Sequence, residues 1–179
     1  MEHWSEIQKE EFHYLADTLK AIERDYEYCG IVLADEVEKK SRNGNYSKIG
    51  LIIFGALVAT KGIADQFMID YGNKTIKMLL LIIFTIIGIM ISIVAGFDST
   101  FKYAEIAAGL RILSAQTQTN IRLGQVKRAI NYNVKEFSDA IAALNKDIEE
   151  QVRQLEDIYG KAAFFGLDLA SKANKLKTL

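Results

Sequence analysis

Two sets of residues in this 179-residue chain could do chemistry, and in sequence they flank its most apolar run. The first is Phe54, Val58, Lys61 and Asp65. At 100° per helical residue they fall within about 60° of one another, so one face of one helix carries all four. Lys61 and Asp65 interrupt an otherwise apolar stretch from Ile49 to Ile69. Near a bilayer centre each charge costs about 2.5–3.5 kcal/mol on insertion scales, so they must pair or face water. If several copies turn this face to a common axis, Phe54 and Val58 form a dry gate and Lys61 and Asp65 a wet vestibule, a pore lining. The alternative is that the apolar segment ends near Thr60 and both charges sit at an interface.

The second set is Arg111, Arg122, Lys127 and Arg128, beside the polar stretch AQTQTN at Ala115 to Asn120. Arginine's planar fork binds two phosphate oxygens at once, and Gln116, Gln118 and Asn120 offer further hydrogen bonds. These residues are the expected site for an anionic nucleotide. The alternative pairs the same positive face with the acidic N-terminal arm or with anionic lipid headgroups. Residues 1–42 hold eleven acids and six bases, whereas 102–135 hold six bases and one acid, Glu105.

Enzymatic chemistry is not expected. His3 and His13 lack catalytic or metal-ligand companions at a suggestive spacing, and Cys29 is the only cysteine. No phosphate loop, dinucleotide fingerprint, serine elbow or zinc pattern occurs, so no catalytic residue, metal or cofactor is assigned. Cys29 falls at an apolar helix position and is expected to be a buried structural thiol.

The elements that must position these residues are helices throughout. Met78 to Phe97 runs twenty residues without an ionisable side chain; at 1.5 Å per residue it spans about 30 Å, a bilayer's hydrocarbon thickness. With the segment 49–69 it predicts a transmembrane helical hairpin, spans about 49–69 and 78–97, turning at Asp70 to Lys77. The charged residues ahead of the first span, with no small-residue cleavage site after it, exclude a signal peptide. Gly55, Ala59 and Gly62 on one span, and Gly88, Ser92 and Gly96 on the other, form small-residue strips that suit close helix packing.

The arms outside the hairpin are charged. Leu15, Leu19, Ile22, Tyr26, Cys29, Leu33 and Val37 recur at three- and four-residue steps, predicting a helix of about thirty-five residues that ends in a flexible joint at Ser41 to Ser47. After the hairpin, Asp98 and Ser99 offer caps for a new helix. Ile130, Val134, Phe137, Ile141, Leu144, Ile148, Val152 and Leu155 then predict a coiled-coil or bundle seam. The segment after Tyr159, with Phe164, Phe165, Leu167 and Leu169 before Lys172, Lys175 and Lys177, either packs back onto the bundle or lies on a membrane. The fold expected is an all-α membrane protein. Its parts are a cytoplasmic amphipathic helix at 1–47, the hairpin at 48–98 and a cytoplasmic helical region with a tail at 99–179. Lysines and arginines outside the short turn favour both termini in the cytoplasm. Two spans enclose no channel, so a pore requires homo-oligomerisation.

The approach EVEKKSRNGNYSKIG at Glu36 to Gly50, the two spans, and FKYAEIAAGLRIL at Phe101 to Leu113 resemble the SLATT family of small bacterial two-helix membrane proteins. The resemblance covers roughly residues 30–145 and rests on residue classes. The chain is expected to carry no fused sensor domain and so looks like the stand-alone type, such as the membrane effector of Hailong antiphage systems. It implies an inner-membrane, pore-forming defence effector that assembles with itself. The implied ligand is a nucleotide or short oligonucleotide made by a partner nucleotidyltransferase encoded nearby. A reading from another class is a non-conducting, membrane-anchored coiled-coil scaffold or receptor subunit for a protein partner.

Overall fold

The structure, a computed structural model, describes residues 4–70, 74–131 and 136–178, with side chains described except at 59, 61–70, 74, 98–100 and 131. Every described element is a helix: α1 (Glu6–Asp70), α2 (Lys74–Phe101), α3 (Tyr103–Asn131), α4 (Phe137–Phe164) and α5 (Leu169–Lys177). The absence of proline allows such lengths. The chain forms two compact units, one of Met1–Val37 with Ala108–Leu179, the other of Glu38–Ala107.

The first unit is a helical bundle. α1 begins with a capping box, in which the Ser5 amide donates to Gln8 Oε1 at 2.9 Å and the Gln8 amide to Ser5 Oγ at 3.3 Å. Its expected stripe holds: Leu19, Ile22, Tyr26, Cys29 and Leu33 are buried, and Leu15 packs against the core. Trp4 joins the start of α1 to that of α4, edge-on to Phe12 and to Phe137, each at 5.3 Å. α3 faces this core with Leu110, Leu113, Thr117 and Asn120, and α4 with Ala140, Leu144, Gln151, Leu155, Ile158 and Ala162.

The expected seam from Ile130 to Leu155 is not one helix. α3 ends at Asn131 and α4 starts at Phe137 behind an extended Glu136. Ile130 and Val152 are exposed, and Gln151 takes the buried position beside Val152; Val134 lies outside the described residues. α4 ends in a Schellman turn, with the Leu167 amide donating to the Ala162 carbonyl at 3.0 Å and the Gly166 amide to Ala163 at 2.8 Å. Gly166 has φ 73°, which a side chain would strain. The tail packs back: Leu167, Leu169 and Ala173 are buried, Lys172 pairs with Glu36, and Lys177 with Asp25 at 2.7 Å.

In the second unit, α1 lies antiparallel to α2 and to the first residues of α3. A Cβ on Gly50 would sit 3.7 Å from Val94 Cγ1, and one on Gly44 3.5 Å from Tyr103 Cβ. The expected joint at Ser41 to Ser47 is therefore helix, and Gly44 is a packing position rather than a hinge. The break between α2 and α3 falls not at Asp98 or Ser99, which are helical, but at Lys102, a non-glycine residue with φ 43°. Of the two small-residue strips, Gly55, Gly88 and Gly96 make no close contact within the chain, since a Cβ on each would meet nothing within 4 Å. Ala59 and Gly62 lie outside the described side chains.

Candidate functional site

α2 is the chain's most apolar element. Thr75–Phe97 has a mean hydropathy of 3.0 and none of it is buried, and among the described residues it is the one helix long and apolar enough to cross a membrane. Ile82, Ile86, Ile89 and Ile93 all stand exposed, as do Ile49, Ile52 and Ile53 on α1. Apolar surface on this scale marks contact with lipid or protein. At its end three rings stack, Phe97 on Phe101 at 5.6 Å and Phe101 on Tyr103 at 5.5 Å, while Lys40 Nζ lies 5.7 Å over the Tyr103 ring. Aromatic rings beside cations are what membrane–water boundaries select.

Of the expected pore-lining residues, Phe54 is half-buried and Val58 exposed. Lys61 and Asp65 belong to α1, but their side chains lie outside the described residues.

The expected anion site splits in two. Lys127 is held by Glu150 at 2.8 Å and Asp147 at 3.2 Å, and the Glu150 hydrogen bond raises its pKa above the ordinary lysine value. Arg128 pairs with Glu23 on α1 at 2.7 Å. This second pair is the acidic-arm alternative realised at one residue. Arg111 and Arg122 remain exposed, without an ion pair among the described residues. Asn120 turns into the core, Gln116 is half-buried and Gln118 is exposed. An open groove of about 300 Å³ between α3 and α4 is lined by Lys127, Ile130, Ala143, Lys146, Asp147 and Glu150, whose charges cancel.

A polar layer crosses the bundle, and of its members the periodicity had marked only Tyr26 as core. Glu23, Tyr26, Thr117, Asn120 and Gln151 are all buried. Tyr26 donates its hydroxyl to the Gln151 carbonyl at 2.7 Å, and burial pushes its pKa up to about 12. Burial also raises the Cys29 thiol and, against the pull of Arg128, the Glu23 carboxyl. Cys29 Sγ and Tyr159 Oη are 3.7 Å apart. Thr117 and Asn120 continue the spacing of Leu110 and Leu113 by four and three, and that was the available signal. Among the described residues, no group of three histidine, cysteine, aspartate or glutamate side chains could hold a metal ion. No known protein family, curated protein or solved structure matches the chain.

Proposed function

We propose that this protein is a homo-oligomeric, pore-forming membrane effector, gated through its helical bundle by an anionic nucleotide or oligonucleotide. The observation that carries the reading is the pairing of a 23-residue apolar helix, none of it buried, with a charged bundle that leaves Arg111 and Arg122 exposed and without an ion pair among the described residues. The first requires a bilayer or an extensive apolar partner; the second offers phosphate a bidentate donor without first breaking an ion pair. Assignment to bacterial antiphage defence, a nucleotidyltransferase as the ligand's source, an inner-membrane hairpin and cytoplasmic termini rest on the sequence resemblance and the charge distribution.

The test is ion flux from proteoliposomes holding the full chain. Replacing Lys61 or Asp65 by leucine is expected to change conductance. Unaltered conductance in both would remove the pore lining, and membranes silent under every condition would favour the non-conducting scaffold. Charge reversal at Arg111 and Arg122 is expected to abolish binding of a single-stranded oligonucleotide, whose affinity in the parent chain falls steeply with salt. Salt-insensitive binding would argue against a phosphate contact.

A further inference from the structure

α3 is patterned on two faces. Its inward face is covered, whereas Ile112, Leu123, Val126 and Ile130 are 69%, 47%, 57% and 60% exposed. At 100° per residue these four fall within about 60° of one another. With the exposed Ala115 and Thr119 they form a stripe whose members recur eleven residues apart: Ile112 and Leu123, Ala115 and Val126, Thr119 and Ile130. Arg111 and Arg122 keep the same interval along its edge. An eleven-residue repeat, 3.67 residues per turn, holds a stripe in line along nearly straight helices and suits helix pairing with a slight right-handed wind.

We propose that a second copy of this chain covers the stripe, α3 running parallel to α3, and that Arg111 and Arg122 of the two copies together form a polyanion site neither completes alone. The helix pairing stands by itself; the anion rests on the functional reading above. Three observations favour a second copy. Copies anchored through α2 in one bilayer share an orientation, so identical stripes meet at the same height. The stripe offers roughly half the ~800 Å² per partner of a stand-alone interface, and confinement to a membrane offsets the shortfall through effective concentration. α3 carries one carboxylate, Glu105, which pairs with Lys102 at 3.5 Å, and none from 106 to 131, so arginines drawn together across the seam find no counter-charge beside them on that helix. An extended phosphate chain supplies it, and by linkage its binding tightens the assembly. Arg111 and Arg122 lie about 16 Å apart along the axis, beyond the reach of one phosphate.

The experiment uses the full-length chain in proteoliposomes with Cys29 retained in its buried position. Thr119→Cys on the stripe is compared with Gln125→Cys, exposed on another face of α3, by the rate of oxidative cross-linking to a dimer. Thr119→Cys is expected to cross-link at least tenfold faster. A short oligothymidylate is expected to speed this further, and the acceleration to vanish when Arg111 and Arg122 become glutamate. Equal rates at the two positions would overturn the seam, and an undiminished acceleration in the double variant would overturn the shared site. Ion flux on the same vesicles separates this from the pore reading: silent vesicles with fast cross-linking would remove the pore and keep the seam.

Discussion

Gly109 lies under the ring of Phe165, so a Cβ there would overlap the ring atoms Cζ, Cε1 and Cε2. Gly109→Ala should therefore destabilise the first unit by about 1–3 kcal/mol, the range for overpacking, read as a lowered denaturation midpoint. Removing the ring with Phe165→Ala in the same chain should make the two changes clearly non-additive. Glu23 gives a prediction in pH. Burial raises its carboxyl above the ordinary value of 4.5 despite Arg128, so between that value and the raised one the native state holds a proton that the unfolded state has released. Stability from this group is thus complete below 4.5 and declines as pH rises through the raised value. Glu23→Gln should flatten that decline when denaturation midpoints are compared across the mildly acidic range. Cys29, buried with its thiol pKa raised, should resist maleimide in the folded chain and react once it is denatured.

Among the elements, α1 shows how far a local sequence signal can mislead. SRNGNYS has the composition of a joint, yet the helix runs through it because Gly44 admits Tyr103 at van der Waals distance. Gly44→Ala should then be tolerated, its Cβ meeting Tyr103 at 3.5 Å, and should gain helix propensity of up to about 1 kcal/mol. Gly44→Phe should force the helices apart, which faster amide exchange in α1 around residue 44 would report. At the other end of the molecule, the apolar tail after Tyr159 is explained by the turn that begins it. The Schellman hydrogen bonds and the positive φ of Gly166 reverse the chain, and α5 starts with Asp168 accepting from the Ser171 amide at 3.0 Å. Leu167 and Leu169 thereby reach the bundle instead of a bilayer.

For the whole molecule, the proposed assembly draws on a face that the folded bundle leaves exposed. Leu123→Asp and Ile130→Asp change side chains the bundle does not bury, so the denaturation midpoint should move by no more than about 0.5 kcal/mol. The mass of the detergent-solubilised particle should nevertheless fall. The apolar surface of α2 likewise lies outside the core, since Thr75–Phe97 contributes nothing to it. Its charge-bearing variant Ile86→Arg should weaken retention in alkali-washed membranes while the bundle's denaturation midpoint stays the same.

What the sequence determined by itself was set by periodicity and by composition. The helical class, the inward face of α1 from Leu19 to Leu33 and the apolar span of α2 follow from three- and four-residue spacing and from a run without charges, because burial and transfer to lipid act on local pattern. Only the tertiary structure decided which arginines stay available. Arg122 and Arg128 look alike in sequence, but Glu23, more than a hundred residues away in the chain, pairs with Arg128 alone. The same long-range packing made Gly44 a contact and drew Asn120 and Gln151 inward. Each of these outcomes depends on which helix arrives opposite, and no residue's own neighbours in sequence specify that.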